Sequence, residues 1–376
     1  MTTIPGQSGL PPAFDREQLD QLAEQSAQLG QLNKRAINMD WLAETIIIAF
    51  TCYKGGVGKT TFACMLAVFL AALGHRVLVV DLNKQGNSAE DLGLEQTGED
   101  EYGNPIFADG GAALAQAIMA GKPVTPVPVP GRENLFICPG GHKLKELLRH
   151  IFAVGENAAP TVLARSLAPV AKDYDYILID VPPENEELTE VAAATSQYLW
   201  IPLRTDDSSL RGFNTVAGIF RRMKAEYNPY LEVLGAAIFA TTFQEGSGNV
   251  DEVLKFLADR LDGVGAVYPH IVPYVEGVAK IGRRLGMTVT ELEELYIAQD
   301  RNKKELDPVT RLSRACIRMA MFMTAELDAR RAGHPAGAVV RVDMEMGTDE
   351  YGKKFVKSYT PVYRTEVEAA EQVTAG

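Results

Sequence analysis

The sequence lacks the features that mark membrane and secreted proteins. None of its apolar runs reaches the ~18 residues that a helix needs to span a membrane. Residues 1–5, Met-Thr-Thr-Ile-Pro, lack the basic start and the apolar core of a secretion signal. We therefore expect a cytoplasmic protein without a membrane-spanning segment.

Cysteine is scarce, and the four that are present, Cys52, Cys64, Cys138 and Cys316, are widely spaced in apolar surroundings. No two of them form the Cys-x-x-Cys pair that is typical of metal ligands. This pattern argues against a disulfide framework and indicates reduced thiols in the core of a cytosolic protein.

Positive charge is in deficit, because 37 Lys and Arg face 49 Asp and Glu and leave a net charge of −12. A chain with this balance does not attract nucleic acid through its overall field, so contact with DNA would require a local basic patch. The hydrophobic share of 46% is typical of a globular protein, and 376 residues suffice for one large domain or two small ones.

Beyond residue 44, apolar strand-like runs alternate with helical segments. The predicted strands are residues 45–51, 76–82, 135–138, 176–181, 198–203 and 234–241. The predicted helices are residues 59–73, 144–152, 161–172, 208–227, 250–261 and 308–332. Continuous apolar runs are typical of strands buried on both faces of a parallel sheet. We therefore predict a doubly wound α/β fold with a mostly parallel sheet and helices on both faces.

The sequence divides into an N-terminal extension at residues 1–44, a main domain at residues 45–333 and a tail at residues 334–376. In the extension, residues 15–32 predict an amphipathic helix, used either for dimer contact or for docking on the main domain. Gly and Pro clusters at residues 97–132 predict a surface loop. Strand-like runs on both sides of residues 347–352 predict a β-hairpin in the tail.

The most informative segment is a glycine-rich run between a predicted strand and a predicted helix. This glycine loop (residues 53–61) reads Tyr-Lys-Gly-Gly-Val-Gly-Lys-Thr-Thr. The backbone N–H groups of such a loop converge on a phosphate chain, and the helix adds its positive N-terminus. Lys59 would reach the β- and γ-phosphates, and the Thr60 hydroxyl would ligate Mg²⁺. The ordinary pattern has a glycine in place of Tyr53, and here a second lysine, Lys54, stands inside the loop.

Two further segments follow buried strands, at the edge of the sheet where such a loop needs partners. The strand at 76–82 delivers Asp81 and runs into the polar residues 83–87. The strand at 176–181 delivers Asp180 and is stopped by two prolines. A carboxylate in this position can hold Mg²⁺ through the water shell of the ion.

Together these segments resemble the motifs of the ParA/MinD family of deviant Walker A ATPases, and more closely its ParA branch. Residues 54–61 match the KGGVGKTT loop, residues 81–87 the DxDPQGN segment and residues 177–183 the IIIDxPP strand. The similarity in layout covers residues 45–330. The resemblance implies that the main domain at residues 45–333 is an ATPase with a fold of P-loop NTPase type. It also implies ATP and Mg²⁺ as cofactors and a homodimer that encloses the two ATP molecules.

The resemblance also implies roles for single residues. Lys54 would cross to the phosphates of the partner, where it would offset the surplus negative charge of two facing ATP molecules. Lys59 would hold the phosphates of its own subunit, and Thr61 would contact the α-phosphate. The nucleotide loop would comprise Gly55, Gly56, Val57, Gly58, Lys59, Thr60 and Thr61, the metal site Thr60, Asp81 and Asp180, and the catalytic set Lys54, Lys59, Asp81 and Asn83.

One position departs from the family pattern. The aspartate that orients the attacking water in the family is replaced by Asn83, and the proline that follows it is replaced by Lys84. Asparagine can hydrogen-bond a water molecule but cannot accept its proton. We therefore expect ATP binding and dimerisation with slow hydrolysis that a partner stimulates.

The ParA branch binds DNA without sequence preference through basic residues on the dimer surface. Candidate DNA contacts here are Lys280, Arg283, Arg284, Arg311, Arg314 and Arg318, with Arg221, Arg222 and Lys224 as a further cluster. MinD-type proteins instead carry a basic amphipathic helix that lies on a membrane, whereas residues 364–371 are acidic. The expected surface is therefore the bacterial nucleoid rather than a membrane, with an adaptor of ParB type as partner.

The leading hypothesis is an ATP-driven switch that partitions or positions a plasmid, a chromosome region or a protein assembly. An adaptor clamp locked by ATP, in which Asn83 has ended turnover, remains an alternative. A bacterial tyrosine kinase could use Tyr351, Tyr359 and Tyr363, but those kinases lack a lysine equivalent to Lys54. A metal carrier related to iron–sulfur scaffolds or the nitrogenase iron protein would need a cysteine pair that the sequence does not contain.

Overall fold

The computed structural model describes residues 45–154, 159–240, 248–348 and 354–367. The predicted helix at residues 15–32 and Tyr351 lie outside these described residues. The strands are β1 (Ile46–Phe50), β2 (Val77–Asp81), β3 (Gln96–Glu99), β4 (Pro105–Phe107), β5 (Val127–Pro128), β6 (Leu135–Cys138), β7 (Tyr176–Asp180), β8 (Tyr198–Leu203), β9 (Glu232–Ala240), β10 (Ala266–Pro273), β11 (Val339–Thr348) and β12 (Lys354–Tyr363).

The helices surround a central sheet. They are α1 (Lys59–Ala72), α2 (Asn87–Asp91), α3 (Ala112–Ala120), α4 (Leu144–Val154), α5 (Val162–Ala171), α6 (Glu186–Thr195), α7 (Asp207–Glu226), α8 (Gly248–Leu261), α9 (Glu276–Leu285), α10 (Val289–Ala298) and α11 (Lys303–Arg331). None of the helices in the described part of the chain combines the length and the apolar character that crossing a membrane requires.

The central sheet has eight strands in the order β10-β9-β8-β1-β7-β2-β6-β5. Neighbouring strands are parallel except β5, which runs antiparallel to β6 at the edge. Alternate residues of β1 enter two separate cores: Ile47 and Ala49 face one, and Ile48 and Phe50 face the other. The predicted doubly wound α/β fold is therefore confirmed.

Each core packs against its own layer of helices. Apolar side chains of α3 to α8 fill one side of the sheet, whereas α1, α10 and α11 cover the other. The four cysteines are buried and form no disulfide, as predicted. Burial raises the pKa of Cys138 and of Cys316 to about 12, so both thiols stay protonated at neutral pH.

The prediction of a loop at residues 97–132 is wrong. This region contains the β3–β4 hairpin, helix α3 and strand β5. The α3 sequence AALAQAIMA is rich in strong helix formers, and Leu114 and Ile118 bury one face of the helix. Gly111 and Gly121, at its two ends, have left-handed conformations with φ of 84° and 59°. The glycines therefore delimit short elements instead of forming a continuous loop.

Residues 262–307 had no predicted element, and the structure places β10, α9 and α10 there. The last long helix, α11, begins at Lys303 rather than at residue 308. Asn302 caps it, because its side-chain oxygen accepts a hydrogen bond from the Glu305 N–H at 3.2 Å.

The predicted hairpin of the tail is formed by β11 and β12, which pair antiparallel as a separate two-stranded sheet. A fully buried carboxylate, Glu326 on α11, holds its start. Glu326 accepts hydrogen bonds from the N–H groups of Gly337 at 2.7 Å and Val339 at 3.2 Å. It also pairs with Arg330 at 3.0 Å, which satisfies the buried charge.

Candidate functional site

The glycine loop leaves the carboxyl end of β1, in the middle of the sheet, and leads into α1. Gly56 and Gly58 have φ of 70° and 90°, which side chains rarely tolerate. A Cβ atom on Gly58 would also lie 3.1 Å from the Phe239 ring of β9. No acidic residue occupies the first turn of α1 and no side chain caps it, so its N–H groups are available to an anion.

The ammonium group of Lys59 lies inside this loop and is almost completely buried, with 6% of the residue exposed. Its Nζ atom donates hydrogen bonds to the carbonyl oxygens of Cys52 at 3.1 Å and Lys54 at 2.7 Å. Burial lowers the pKa of Lys59, against the raising effect of nearby Cys52 and Asp180. A phosphate group would compensate this buried charge better than two neutral carbonyls.

Lys54 is bound within its own chain. Its Nζ atom lies 2.5 Å from the Oδ1 atom of Asp206. Asp206 caps α7, since Oδ1 also accepts a hydrogen bond from the Ser209 N–H at 3.0 Å. Partial burial would raise the pKa of Asp206, but the hydrogen bonds from Lys54 and Ser208 outweigh it and hold the pKa below its usual value.

Two carboxylates meet behind the loop. Asp81 and Asp180 end neighbouring strands, face each other in the β2–β7 register and are fully buried. The Oδ2 atom of Asp180 accepts hydrogen bonds from the Thr60 hydroxyl at 2.6 Å and the Ser88 hydroxyl at 3.2 Å. Its Oδ1 atom is buried and has no hydrogen-bond partner among the described residues. A buried carboxylate oxygen without a partner, next to a threonine hydroxyl, fits a divalent cation.

A cation beside Thr60 and Asp180 would need further ligands that are not protein side chains. The described residues contain no group of three or more His, Cys, Asp or Glu that could enclose a metal ion. Mg²⁺ commonly binds proteins through one or two side chains and completes its shell with phosphate and water. The structure brings the Thr60 hydroxyl and the Asp180 carboxylate together at 2.6 Å.

Asp81 has a different environment from Asp180. Its Oδ1 atom accepts the N–H of Asn83 at 2.8 Å, and its Oδ2 atom accepts the N–H of Ser88 at 3.1 Å. Burial and the neighbouring charge of Asp180 raise the pKa of Asp81 well above its usual range. Both oxygens thus hold the backbone of residues 83–88, and the sequence prediction did not foresee this organising contact.

Asn83 is also engaged in the turn that it starts. Its side-chain oxygen accepts a hydrogen bond from the Gln85 N–H at 3.1 Å. Its carbonyl oxygen accepts the N–H groups of Gly86 and Gly141, each at 3.0 Å. The residue is buried, whereas Lys84, the next residue, is exposed. The Asn83 side chain therefore has a local partner and would have to give it up in order to orient a water molecule.

The sequence analysis missed two groups that contact the site. A Cβ atom on Gly140 would lie 2.6 Å from the Asn83 carbonyl oxygen and 2.7 Å from the Asp81 Cγ atom. Arg204 directly follows β8, and its Nη2 atom lies 3.8 Å from a Cβ atom built on Gly56. The signal was present in both cases, because Arg204 directly follows a predicted strand and Gly140 lies two residues beyond another, at the edge of the sheet where the anticipated site residues lie.

The basic candidates for DNA contact fall into two groups. Arg284, Arg311 and Arg314 are exposed, Arg318 is half-buried, and none of these four makes an ion pair within the described part of the chain.

The others have internal partners. Lys280 pairs with Glu276 at 2.7 Å, and Arg283 pairs with Asp91 at 2.7 Å. Of the further cluster, Arg222 pairs with Glu186 at 3.4 Å and with Glu190, and Lys224 donates to the Leu231 carbonyl at 2.7 Å.

Comparison with known protein families matches residues 45–233, half of the chain, to a family described as an AAA domain. The sporulation initiation inhibitor protein Soj of Bacillus subtilis is 32% identical over 229 residues, which cover 60% of this chain and 83% of Soj. The chromosome partitioning protein ParA of Myxococcus xanthus is 30% identical over 216 residues, 57% of this chain and 71% of that ParA. This chain belongs to the ParA/MinD family.

The family predicted from the three motifs is thus confirmed, and the chain is a ParA-like P-loop ATPase. A solved structure of cobyrinic acid a,c-diamide synthase from Mycobacterium smegmatis, with a bound ATP analogue and magnesium, is similar with a TM-score of 0.56. It is 20% identical and covers 78% of this chain and 98% of the synthase, so the likeness concerns the fold alone.

We expect Gly140→Ala to damage the site because the added methyl group meets backbone and carboxylate atoms that cannot yield. The variant should lose about 1–3 kcal/mol of unfolding free energy and most of its affinity for ATP–Mg²⁺. Urea denaturation and nucleotide titration measure both effects. Gly218→Ala on α7 is the matched control, since no atom lies within 4 Å of its Cβ position. Equal behaviour of the two variants would contradict the steric account.

Asp180 predicts a pH dependence of stability. Burial raises its pKa from 3.8 to about 6, so the folded chain binds the proton more tightly than the unfolded chain. Its contribution to stability is therefore greatest at low pH and is lost as the pH rises from about 4 through 6. Without metal, Asp180→Asn should stabilise the chain by about 1–3 kcal/mol near neutral pH and by little below about pH 4.

Thermal unfolding across this pH range tests the expectation, with the exposed Asp173→Asn as control. The same Asp180→Asn change should abolish the stabilisation that Mg²⁺ adds to the ATP-bound chain. A pH-independent effect, or full stabilisation by Mg²⁺ in the variant, would contradict the assignment of Asp180 to the cation site.

Proposed function

We propose that this ParA-like ATPase is an ATP-dependent dimerisation switch that binds DNA non-specifically and partitions or positions a cargo. The observation that carries the proposal is the pair of lysines in the glycine loop. Lys59 is buried at the phosphate position, whereas Lys54 reaches outward to Asp206. Lys59 could therefore serve the nucleotide of its own subunit, and Lys54 could serve that of a second protomer once it leaves Asp206.

The described residues have the chemistry to hold ATP and Mg²⁺. Lys59 would exchange its two carbonyl acceptors for the β- and γ-phosphates, and Thr61 would contact the α-phosphate. The Thr60 hydroxyl and the unpartnered Oδ1 atom of Asp180 would hold the cation, which screens the phosphate charge. The ATP analogue and magnesium in the structure of the synthase, which has a similar fold, are consistent with ATP and Mg²⁺ as the cofactors. Asp81 would act through the backbone of residues 83–88.

Hydrolysis would be slow because the residue at the water position cannot take up a proton. Asn83 offers a neutral amide, and its oxygen already accepts a hydrogen bond from Gln85. An adaptor of ParB type could promote turnover by reorienting this side chain. The same observation favours a second candidate function, an adaptor clamp of the same fold that ATP closes and hydrolysis rarely opens.

The tyrosine-kinase alternative loses support from the surroundings of the tail tyrosines. Tyr359 packs against the core formed by α11 and β11, and Tyr363 stacks on His334 with ring centroids 4.7 Å apart. A tyrosine that receives a phosphate group must reach another active site, and these packing contacts oppose that. The two tyrosines therefore have structural roles in the hairpin.

The DNA surface would be centred on the α11 arginines (Arg311, Arg314 and Arg318), with Arg284 on α9 as a further exposed candidate. Their spacing of three and four residues places them on one helix face. Since they lack internal ion pairs in the described chain, their charge is available to phosphates. Lys280 and Arg283 would contribute less, because each already has an acidic partner. Such contacts predict strongly salt-dependent binding and association with the nucleoid.

Co-sedimentation with non-specific duplex DNA tests the proposed function. We expect self-association and DNA retention only when ATP and Mg²⁺ are both present. Retention that is independent of nucleotide, or a protein that stays monomeric with saturating ATP–Mg²⁺, would contradict the switch.

Reversing charge on the α11 arginines should remove DNA binding selectively. We expect Arg314→Glu with Arg318→Glu to lower DNA affinity at least about tenfold at low salt and to flatten its salt dependence, since each phosphate contact releases counterions. ATP binding should be unchanged. Arg149→Glu with Arg165→Glu, exposed on the helices of the opposite layer, makes the same charge change and is the control. Equal losses in both double variants would assign the effect to net charge alone.

Restoring the family aspartate should raise turnover. We expect Asn83→Asp to increase the steady-state ATPase rate at least about tenfold, because general-base assistance contributes roughly 10²–10⁴-fold. Asn87→Asp introduces the same charge four residues away and should leave the rate near that of the wild type. The assay is run with and without the stimulating adaptor. Equal, high rates of the wild type and Asn83→Asp would refute the slow-turnover proposal.

A further inference from the structure

The ion pair between Lys54 and Asp206 joins the glycine loop to the beginning of α7. The two charged atoms lie 2.5 Å apart, and the side chains are 24% and 44% exposed. The residues are 152 positions apart in the chain. Helix α7 also approaches the start of the loop, since a Cβ atom on Gly212 would lie 3.5 Å from the Tyr53 carbonyl carbon. The contact is thus part of a packed junction.

Asp206 is fixed by contacts that do not involve Lys54. Its carboxylate accepts the Ser209 N–H at 3.0 Å, the Ser208 hydroxyl at 2.5 Å and the Ser209 hydroxyl at 3.3 Å. These bonds hold the carboxylate at the helix N-terminus, which itself favours a negative charge. Asp206 therefore cannot follow Lys54 to a new position, and the pair must break when the lysine leaves.

The two lysines of the loop are coupled through one hydrogen bond. The ammonium group of Lys59 donates to the carbonyl oxygen of Lys54 at 2.7 Å. When Lys59 turns to a phosphate chain, this carbonyl loses its donor and the backbone at Lys54 is less restrained. Filling the phosphate position thus weakens the framework that presents Lys54 to Asp206.

We propose that Asp206 is a positioning residue that retains Lys54 within its own subunit and thereby raises the ATP concentration at which two protomers join. This inference rests on the proposed dimerisation switch. It identifies the Asp206 carboxylate as the group that sets the ATP concentration required for dimerisation. Lys54 cannot pair with Asp206 and serve a second protomer at the same time. Each protomer of a symmetric dimer would have to break one Lys54–Asp206 ion pair. Dimerisation would therefore carry the free-energy cost of breaking two such pairs.

The test compares ATP-induced self-association of the wild type and Asp206→Asn by sedimentation velocity in the presence of Mg²⁺. Asparagine caps helices as well as aspartate does, so α7 keeps its cap while the ion pair is lost. We expect the half-saturating ATP concentration to fall about two- to fivefold, the range for a partly exposed ion pair. Asp207→Asn, one residue further along in the exposed first turn of α7, removes the same charge and should leave the half-saturating concentration unchanged.

The salt dependence of the half-saturating ATP concentration distinguishes retention of Lys54 from a purely structural role of Asp206. Screening weakens exposed ion pairs, so the difference between the wild type and Asp206→Asn should shrink as the salt concentration rises. The thermal midpoints of the two proteins should be similar at every salt concentration.

The outcomes separate this inference from the proposed function. Failure of the wild type to associate with ATP–Mg²⁺ would refute the switch itself. If the wild type associates but Asp206→Asn has an equal or higher half-saturating concentration, the switch stands and the retention of Lys54 by Asp206 is refuted. An equal decrease in the Asp207→Asn control would also refute it, since net charge would then explain the shift.

Discussion

The site depends on the burial of one ammonium group. A buried charge without compensation costs several kcal/mol, so the chain around Lys59 must supply acceptors. The carbonyls of Cys52 and Lys54 do so, and the loop is thereby folded around its own lysine. Since neutral carbonyls are weaker partners than phosphate oxygens, the loop is preorganised for a polyanion. The left-handed glycines make this possible, because they let the backbone turn towards the amine.

The carboxylates behind the loop present the opposite problem. Parallel pairing of β2 and β7 puts Asp81 directly beside Asp180, where both are shielded from water. Asp81 is compensated by two backbone N–H groups, but one oxygen of Asp180 is not. The fold therefore stores an unfavourable electrostatic arrangement that a divalent cation relieves. Lys59 and Asp180 interact electrostatically, and ATP–Mg²⁺ carries charges complementary to both.

Much of this could be predicted from the sequence, since the essential signals are local. Continuous apolar runs indicated buried parallel strands, and the residues that follow them had to lie at the carboxyl edge of the sheet. The weaker patterns failed. Strand β10 contains two prolines and a histidine, which interrupt the apolar run, and the glycines around α3 were interpreted as a loop. Periodicity does not encode contacts between distant segments, so the pairing of Lys54 with Asp206 and the close approach of Gly140 to Asp81 required the tertiary structure.

The account predicts that both loop lysines change partners when the nucleotide binds. Lys59 leaves two carbonyls for the phosphates of its own subunit, and Lys54 leaves Asp206 for those of the second protomer. The most direct test is a crystal structure of the protein with Mg²⁺ and a non-hydrolysable ATP analogue. We expect a dimer in which the Lys54 Nζ atom lies within hydrogen-bond distance of the nucleotide held by the other protomer. A nucleotide-bound structure in which Lys54 still pairs with Asp206 of its own chain would contradict the account.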